Sequence, residues 1–493
     1  LDRPPTEAPA HEPDAAEPAA TLEKTMTLAW LNLTELRALL ERRELSSVEL
    51  VEALLARIDR VDGTLHAFTD VQATQARALA RAADAARASG LALGPLHGLP
   101  VVLKDLLDVE GQVCTLGSAH FRERRATVTS AAVERLLQAG MVPLGKVHMT
   151  EFAFGGWGTN AVMGTPRNPW DLGTHRAPGG SSSGTGVSVA AGCAPVGLGS
   201  DTGGSVRIPS GFNGLTGLKV TYGRVSLHGA GLLSWTLDSI GPMARCVRDC
   251  ALVLDAIAGP DPRDPATLSQ PLERFAREPR AVRGLRIAMP PADQLPSFMD
   301  PGVTQAWEDA ARTFEALGVD VERSRLPSWY FELAASTGCV IASEAYSLHR
   351  AFVGDPAAPL DPAVRRRLLS AETLAPAAYA EALRTMALLR RQMAAWFEPF
   401  DAVLLPSVAI PAPALADIDE ASPIPGYLTR PANYLGLCGL SLPAGFVRGL
   451  PVGIQLVGKP WNERTVLSLG QAFESVTTHH AAHPDLGALG VAD

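Results

Sequence analysis

The chain has 493 residues, 46% of them hydrophobic and 19% charged, an ordinary globular composition with enough apolar material for a large core. Its formal net charge is −9 with histidine neutral, and no basic run offers a nucleic-acid surface, so nucleic acid is not an expected partner. No apolar run reaches the roughly 18 residues of a membrane span, so a membrane is not expected either.

Residues 1–25, rich in Pro, Ala and Glu with almost no large apolar side chain, read as a disordered arm. Leu1 is not a methionine, so the chain reads as processed or trimmed. It holds no signal-peptide apolar segment; a cytoplasmic location is the expectation, with a removed leader left open. Residues 26–493 read as one folded unit. Asn32 with Glu35, and Ser46 with Glu49, have the spacing of capping boxes and start two helices. Leu36, Leu39 and Leu40, then Leu50, Leu54 and Ile58, form their apolar faces. An Ala-rich third helix is expected over 72–89. Pro100–Leu103 reads as a short buried strand, "SAAVERLLQAG" as a helix closed by Gly140, and "MVPLGKV" as the next strand. This alternation marks an α/β fold. From Glu151 to Gly217 the chain is dominated by Gly, Ser, Thr, Asn and Pro, a loop-rich length that is uncommon inside a compact protein unless functional. Beyond it, "VRDCALVLDAIAG" reads as a helix and 259–283 as a surface connection. "GLRIAMP" and "VDVERS" read as strands around the helix "VTQAWEDAARTFEALG". Long helices follow around 338–353 and 376–398, and "DAVLLPSVAI" and "GLPVGIQLVG" close the chain as buried strands.

The six cysteines, Cys114, Cys193, Cys246, Cys250, Cys339 and Cys438, show no C-x2-C pair, so buried free thiols are expected and no metal site.

The loop-rich region carries the chemistry. In "GLGSDTGGSVRIPSG", Gly203 and Gly204 adjoin, although each would cost a helix about 1 kcal/mol. The stretch reads either as a tight turn or as bare backbone amides converging on an oxyanion, with Ser205 as nucleophile. Upstream, "APGGSSSGTG" contains G-x-S-x-G at Gly180, Ser182 and Gly184, but no strand runs into it, against a nucleophile elbow. No Gly-Lys-Ser/Thr closes it as a phosphate loop. In "VVLKDLLDV", Lys104 follows an apolar run; it reads either as a lysine reaching solvent or as a desolvated general base. Ser–Lys pairs can replace Ser–His–Asp.

Together "HGLPVVLKD", "PGGSSSG" and "GSDTGGSVRIP", with Ser181 and Ser205 24 residues apart, closely resemble the amidase signature family. The resemblance runs from "ELSSVELVEALLARID" through "GLTGLKVTYGRVS" and "LDSIGPMARCVRD" to "LCGLSLPAGFVRGLPVGIQLVG", over nearly all of 27–485. It implies an α/β/α fold with a mixed, twisted central sheet flanked by helices, so that 26–493 form one catalytic domain. It further implies that Ser205 attacks a carbonyl, that Ser181 relays the proton, and that neutral Lys104 is the base. A cis peptide bond is implied at Gly180–Ser181. The amides of Thr202, Gly203, Gly204 and Ser205 would line the oxyanion hole, with Asp201 and Arg207 orienting it. No cofactor and no metal are implied, and a homodimer is the default.

Asp105 is expected to support the site rather than react. His148, where many relatives have Asn, is either a pocket residue or structural; His97 reads as a turn residue and Cys193 as close packing on an Ala/Gly-rich helix. Phe154 and Trp157 in "EFAFGGWG" are candidate pocket walls, although Phe152 and Phe154 can equally alternate into the core as strand residues. Apart from Arg207, Gly179–Ser210 holds no basic side chain. The expected substrate is therefore a neutral, largely apolar amide, anilide or carbamate, with aryl esterase side activity, which would make the enzyme an aryl acylamidase or urethanase. The alternatives are the glutaminase-type subunit of a tRNA-dependent amidotransferase, or a non-catalytic binding protein on the same scaffold.

Overall fold

A computed structural model describes residues 28–91 and 93–491. The expected arm over 1–25 lies outside the described residues. The first two helices, Leu33–Glu41 and Ser47–Leu65, start at the expected capping boxes, with both reciprocal hydrogen bonds made in each. Leu36, Leu40, Leu50, Leu54 and Ile58 are buried on their inner faces, and Leu39 is half-buried. The third helix spans Ala73–Ala88.

The centre of the molecule is one eleven-stranded mixed sheet. Its strands in chain order are β1 (Phe68–Val71), β2 (Pro100–Lys104), β3 (Val142–Val147), β4 (Val196–Ser200), β5 (Thr216–Lys219) and β6 (Ile240–Ala244). They continue as β7 (Arg286–Met289), β8 (Asp320–Arg323), β9 (Ala402–Pro406), β10 (Cys438–Val447) and β11 (Leu450–Gly458). Their spatial order is β1-β3-β2-β4-β6-β5-β10-β11-β9-β7-β8. β3, β2 and β4 run parallel, as do β9, β7 and β8; the strands between them pair antiparallel. Strands β2 to β6, β9 and β11 are buried at every residue, because helices cover both faces. Such strands carry continuous apolar runs, which is why β2, β3, β9 and β11 are legible in the sequence.

The stretch from Glu151 to Gly217 is less irregular than its composition implies: it holds the helix Ser183–Ala190, strand β4 and the helix Arg207–Asn213. β4 escapes notice because Gly197 and Gly199 interrupt it, and glycine weakens a strand pattern. The helix above explains them. A Cβ at Gly197 would meet Thr185 Cγ2 at 2.6 Å and Val102 Cγ2 at 2.7 Å, so helix and sheet pack closer than any side chain permits. Cys193 follows this helix rather than lying on it, and is buried. "EFA" at Glu151–Ala153 is a single 3-10 turn capped by Phe154, not the strand considered for Phe152 and Phe154. Among the described residues all six cysteines are free thiols, and no helix is long and apolar enough to cross a membrane.

Candidate active site

β2 and β4 are parallel neighbours, with Val102 opposite Gly197 and Leu103 opposite Leu198. Lys104 and Ser200 therefore end side by side at the carboxyl edge of the sheet, the edge where open α/β sheets place their sites. Lys104 is completely buried. Its Nζ donates to Ser181 Oγ at 2.7 Å and to Ser200 Oγ at 2.8 Å. Among the described residues no carboxylate touches it. Burial pushes its pKa down to about 7, against the pull of Asp238 and Asp201. A lysine so placed is substantially neutral near pH 7 and has a lone pair for the Ser181 proton.

The Gly180–Ser181 peptide bond is cis. Its loop is held on all sides: Gly179 N–H donates to Trp157 O, Gly180 N–H to Gly156 O, and Thr150 N–H to Ser181 O. A Cβ at Gly180 would strike the Gly158 backbone at 2.6 Å, which accounts for the glycine. Ser182 N–H donates to Ser205 O at 3.3 Å, joining the two serine loops through backbone. The Ser181 and Ser205 hydroxyls are not hydrogen-bonded to each other, a looseness common without substrate.

Ser205 opens onto the cavity from the turn between β4 and the helix Arg207–Asn213. The N–H groups of Thr202, Gly203 and Ser205 have no acceptor among the described residues. Gly204 corrects the sequence expectation: its N–H donates to Asp201 Oδ1 at 2.8 Å and is not free for an oxyanion. Its glycine is needed for another reason. Its φ is +126°, and a Cβ would lie 2.1 Å from Thr429 Oγ1. Three of the four expected amides are thus left without an acceptor among the described residues, with Gly204 anchoring the turn.

Asp201 and Arg207 form an ion pair sealed from solvent. Arg207 also donates to Gln455 Oε1 at 2.9 Å and Asn433 Oδ1 at 2.7 Å, while Asn433 returns an N–H to Asp201 at 2.9 Å. Burial alone would push Asp201 up; Arg207 overrides it and holds the carboxyl at about 2. The pair touches neither serine hydroxyl, so it shapes the turn. Thr202 Oγ1 donates to Asp238, whose carboxylate also takes the N–H groups of Leu233 and Ser234. Ser200, Asp238, Asn433 and Gln455 have no assigned role in the sequence reading. Gln455 left a signal, a lone amide inside an apolar strand. Asp238 stands in the stretch "LDSIGPMARCVRD" but is not distinguished there by spacing.

Asp105 is buried and accepts from Thr115 N–H and Oγ1–H, bracing the turn after β2 rather than touching Lys104. His148 is not a pocket residue. It is buried, tilted against His66 with ring centres 4.3 Å apart. Burial first and His66 second push its pKa down to about 3. Its backbone carries the contact that matters, its carbonyl accepting from Gly184 N–H.

A cavity of about 380 Å³ opens above Ser205, Thr202 and Gly203. Phe154, Trp157, Ile208, Leu233 and Ile341 give it an apolar side. Phe154 and Trp157 therefore reach the cavity, whereas Phe152 turns inward and stacks on His349 with ring centres 4.0 Å apart. The opposite side takes basic groups from outside Gly179–Ser210. Arg366, Arg367 and Arg430 line it, facing one glutamate, Glu420. All three arginines lie more than 150 residues beyond the two serine loops in sequence, where local reading could not place them. Among the described residues no group of three His, Cys, Asp or Glu side chains is arranged to hold a metal ion.

The Amidase family profile matches residues 49–467. A glutamyl-tRNA(Gln) amidotransferase subunit from Moorella thermoacetica is 40% identical over 490 residues, covering 94% of this chain and all of that protein. The peptide amidase of Stenotrophomonas maltophilia superposes with a TM-score of 0.80 at 30% identity, over 91% of this chain and 97% of the amidase. A bacterial aryl acylamidase of the amidase signature family superposes with a TM-score of 0.83 at 26% identity, over 93% of this chain and all of that one.

Proposed function

Since the chain belongs to the amidase signature family, we propose that it hydrolyses the C–N bond of an amide through an acyl-enzyme on Ser205. The observation that carries this is Lys104, wholly buried, with only the Ser181 and Ser200 hydroxyls at its Nζ among the described residues. Ser205 Oγ attacks the amide carbon while its proton passes to Ser181 Oγ, whose own proton moves to Lys104 Nζ. The carbonyl oxygen becomes an oxyanion, which the free amides of Thr202, Gly203 and Ser205 receive. As the intermediate collapses, the C–N bond breaks and the leaving nitrogen takes the proton back through Ser181. The acyl group is left as an ester on Ser205. Water then attacks that ester, gives its proton to the same relay, and releases the acid with Ser205 restored. Asp201, Arg207 and Asn433 keep the turn in shape throughout.

The apolar side of the cavity supports an amide, anilide or carbamate with an apolar or aryl body. One such group is worth about 1–3 kcal/mol of discrimination, so aryl esters should also react. A second reading, a glutaminase-type subunit that works within a tRNA-dependent amidotransferase, is favoured by the relatives of that name. The combined presence of Lys104, Ser181 and Ser205 speaks against a binding protein without activity.

The test is the purified chain, alone, on acetanilide, phenyl carbamate, phenyl acetate and glutamine, with the acyl-enzyme sought by mass spectrometry. Release of aniline without any partner, and an acyl mass on Ser205, are expected. Turnover of glutamine only, and only with partner subunits added, would promote the second reading.

A further inference from the structure

The reaction uses the floor of the cavity and leaves one wall without a role. Arg430 begins the short helix Arg430–Tyr434 on that wall. It stands beside the oxyanion-binding turn: a Cβ at Gly203 would meet Arg430 Cγ at 3.2 Å, and a Cβ at Gly426 would meet its Nε at 2.8 Å. Arg207 is paired with Asp201, and Arg367 with Glu420 and the Phe154 carbonyl. Arg430 has neither an acid nor a hydrogen-bond acceptor among the described residues. It is half-buried. Burial and then the neighbouring Arg367 push its pKa below the usual arginine value, yet a guanidinium keeps its charge in a protein. A partly desolvated, uncompensated cation therefore faces the space a substrate would fill, an arrangement that costs stability unless an anion joins it. Arg366, exposed, adds positive charge on the same side. The effect is local, since the chain as a whole carries −9.

We infer that Arg430 is an anion-recognising specificity residue and that the amide accepted here carries a carboxylate in addition to its apolar body. A planar guanidinium takes a carboxylate through two parallel N–H bonds, which fixes orientation as well as affinity. For turnover this rests on the acyl-enzyme reading above; for binding it does not.

Two matched substrate pairs test it: succinanilate against butyranilide, with the carboxylate on the acyl half, and 4-acetamidobenzoate against acetanilide, with it on the amine half. The wild type should favour the charged member of one pair by about tenfold or more in kcat/KM. Arg430→Leu should bring that ratio close to one, and Arg430→Lys should keep part of it. No preference in either pair, or a preference that survives Arg430→Leu, overturns the inference. Should Arg430→Leu fail to fold by circular dichroism, inhibition of the wild type by succinate and benzoate decides. Competitive inhibition that weakens with added salt supports the inference, and none at millimolar anion overturns it. If no substrate turns over, the acyl-enzyme reading fails, and calorimetry of succinate or benzoate on Ser205→Ala still tests Arg430. Binding lost in Ser205→Ala/Arg430→Leu supports it; no binding of either anion to Ser205→Ala overturns it.

Discussion

From Ala177 to Val220, which forms the floor of the cavity, every residue except Gly203 is buried. The facing wall, drawn from 363–370 and 420–430, leaves Arg366, Ser370 and Ala421 exposed and Arg367, Glu420 and Arg430 half-buried. On the floor each charged group is matched: Lys104 by two hydroxyls, Asp201 by Arg207 and Asn433. On the wall Arg430 is unmatched among the described residues. A buried charge must be satisfied within the protein, whereas one at a cavity wall can wait for a ligand. In the proposed reading, reaction and recognition sit on opposite sides of one space, under different physical constraints.

The sharpest way to break this division is on the floor. Ser205→Ala should lower kcat about 10⁴-fold or more while circular dichroism and melting stay near wild type, because it removes one hydroxyl from a turn held by other groups. Appreciable turnover by the variant would take the nucleophile away from Ser205. Lys104→Met should cost about 10³- to 10⁴-fold, and the double variant with Ser205→Ala should be no worse than the single, since the residues act as one unit. The wild-type pH profile reads the same group. Only neutral Lys104 can accept a proton, and burial holds its pKa at about 7. kcat/KM should therefore rise with pH below about 7 and level off above it; a profile flat from pH 5 to 9 would remove Lys104 from the relay.

Asp201→Asn should leave Arg207 as an uncompensated buried cation and lower stability by about 3–5 kcal/mol, read by urea denaturation. Asp201 is held at about 2 against an ordinary 3.8. Its contribution is thus present above 3.8 and lost as the pH falls through about 2, so variant and wild type should converge in strong acid. A variant as stable as wild type at pH 7 would mean that the pair does not shape the turn.

Two phenylalanines two residues apart give the smallest and finest comparison. Phe152, stacked on His349 in the core, should cost about 3–5 kcal/mol of stability as Phe152→Ala. Phe154, half-buried at the cavity, should as Phe154→Ala leave stability nearly unchanged and lower kcat/KM for an anilide by about tenfold. The reverse pattern would exchange wall and core.

The sequence by itself singled out Lys104, Ser181, Ser205 and the turn that presents them as a candidate site. Part of what marks them is local, since the loop before Ser181 needs Gly180 where the Gly158 backbone passes, whereas Gly204 answers to Thr429, far along the chain. Buried strands such as β2, β3, β9 and β11 were legible because burial on both faces leaves an unbroken apolar run. β4 was not, since its glycines answer to a helix packed above it. His148 could not be placed, because whether a histidine lines a cavity or is buried against His66 depends on a partner distant in sequence. Arg207 meets Asn433 226 residues away and Gln455 248 residues away, and Arg430 reaches the edge of Gly203 from just as far. Only the tertiary structure decides such meetings, because they are selected by the closing of the sheet between β4 and β11 and leave no periodicity or spacing in the chain.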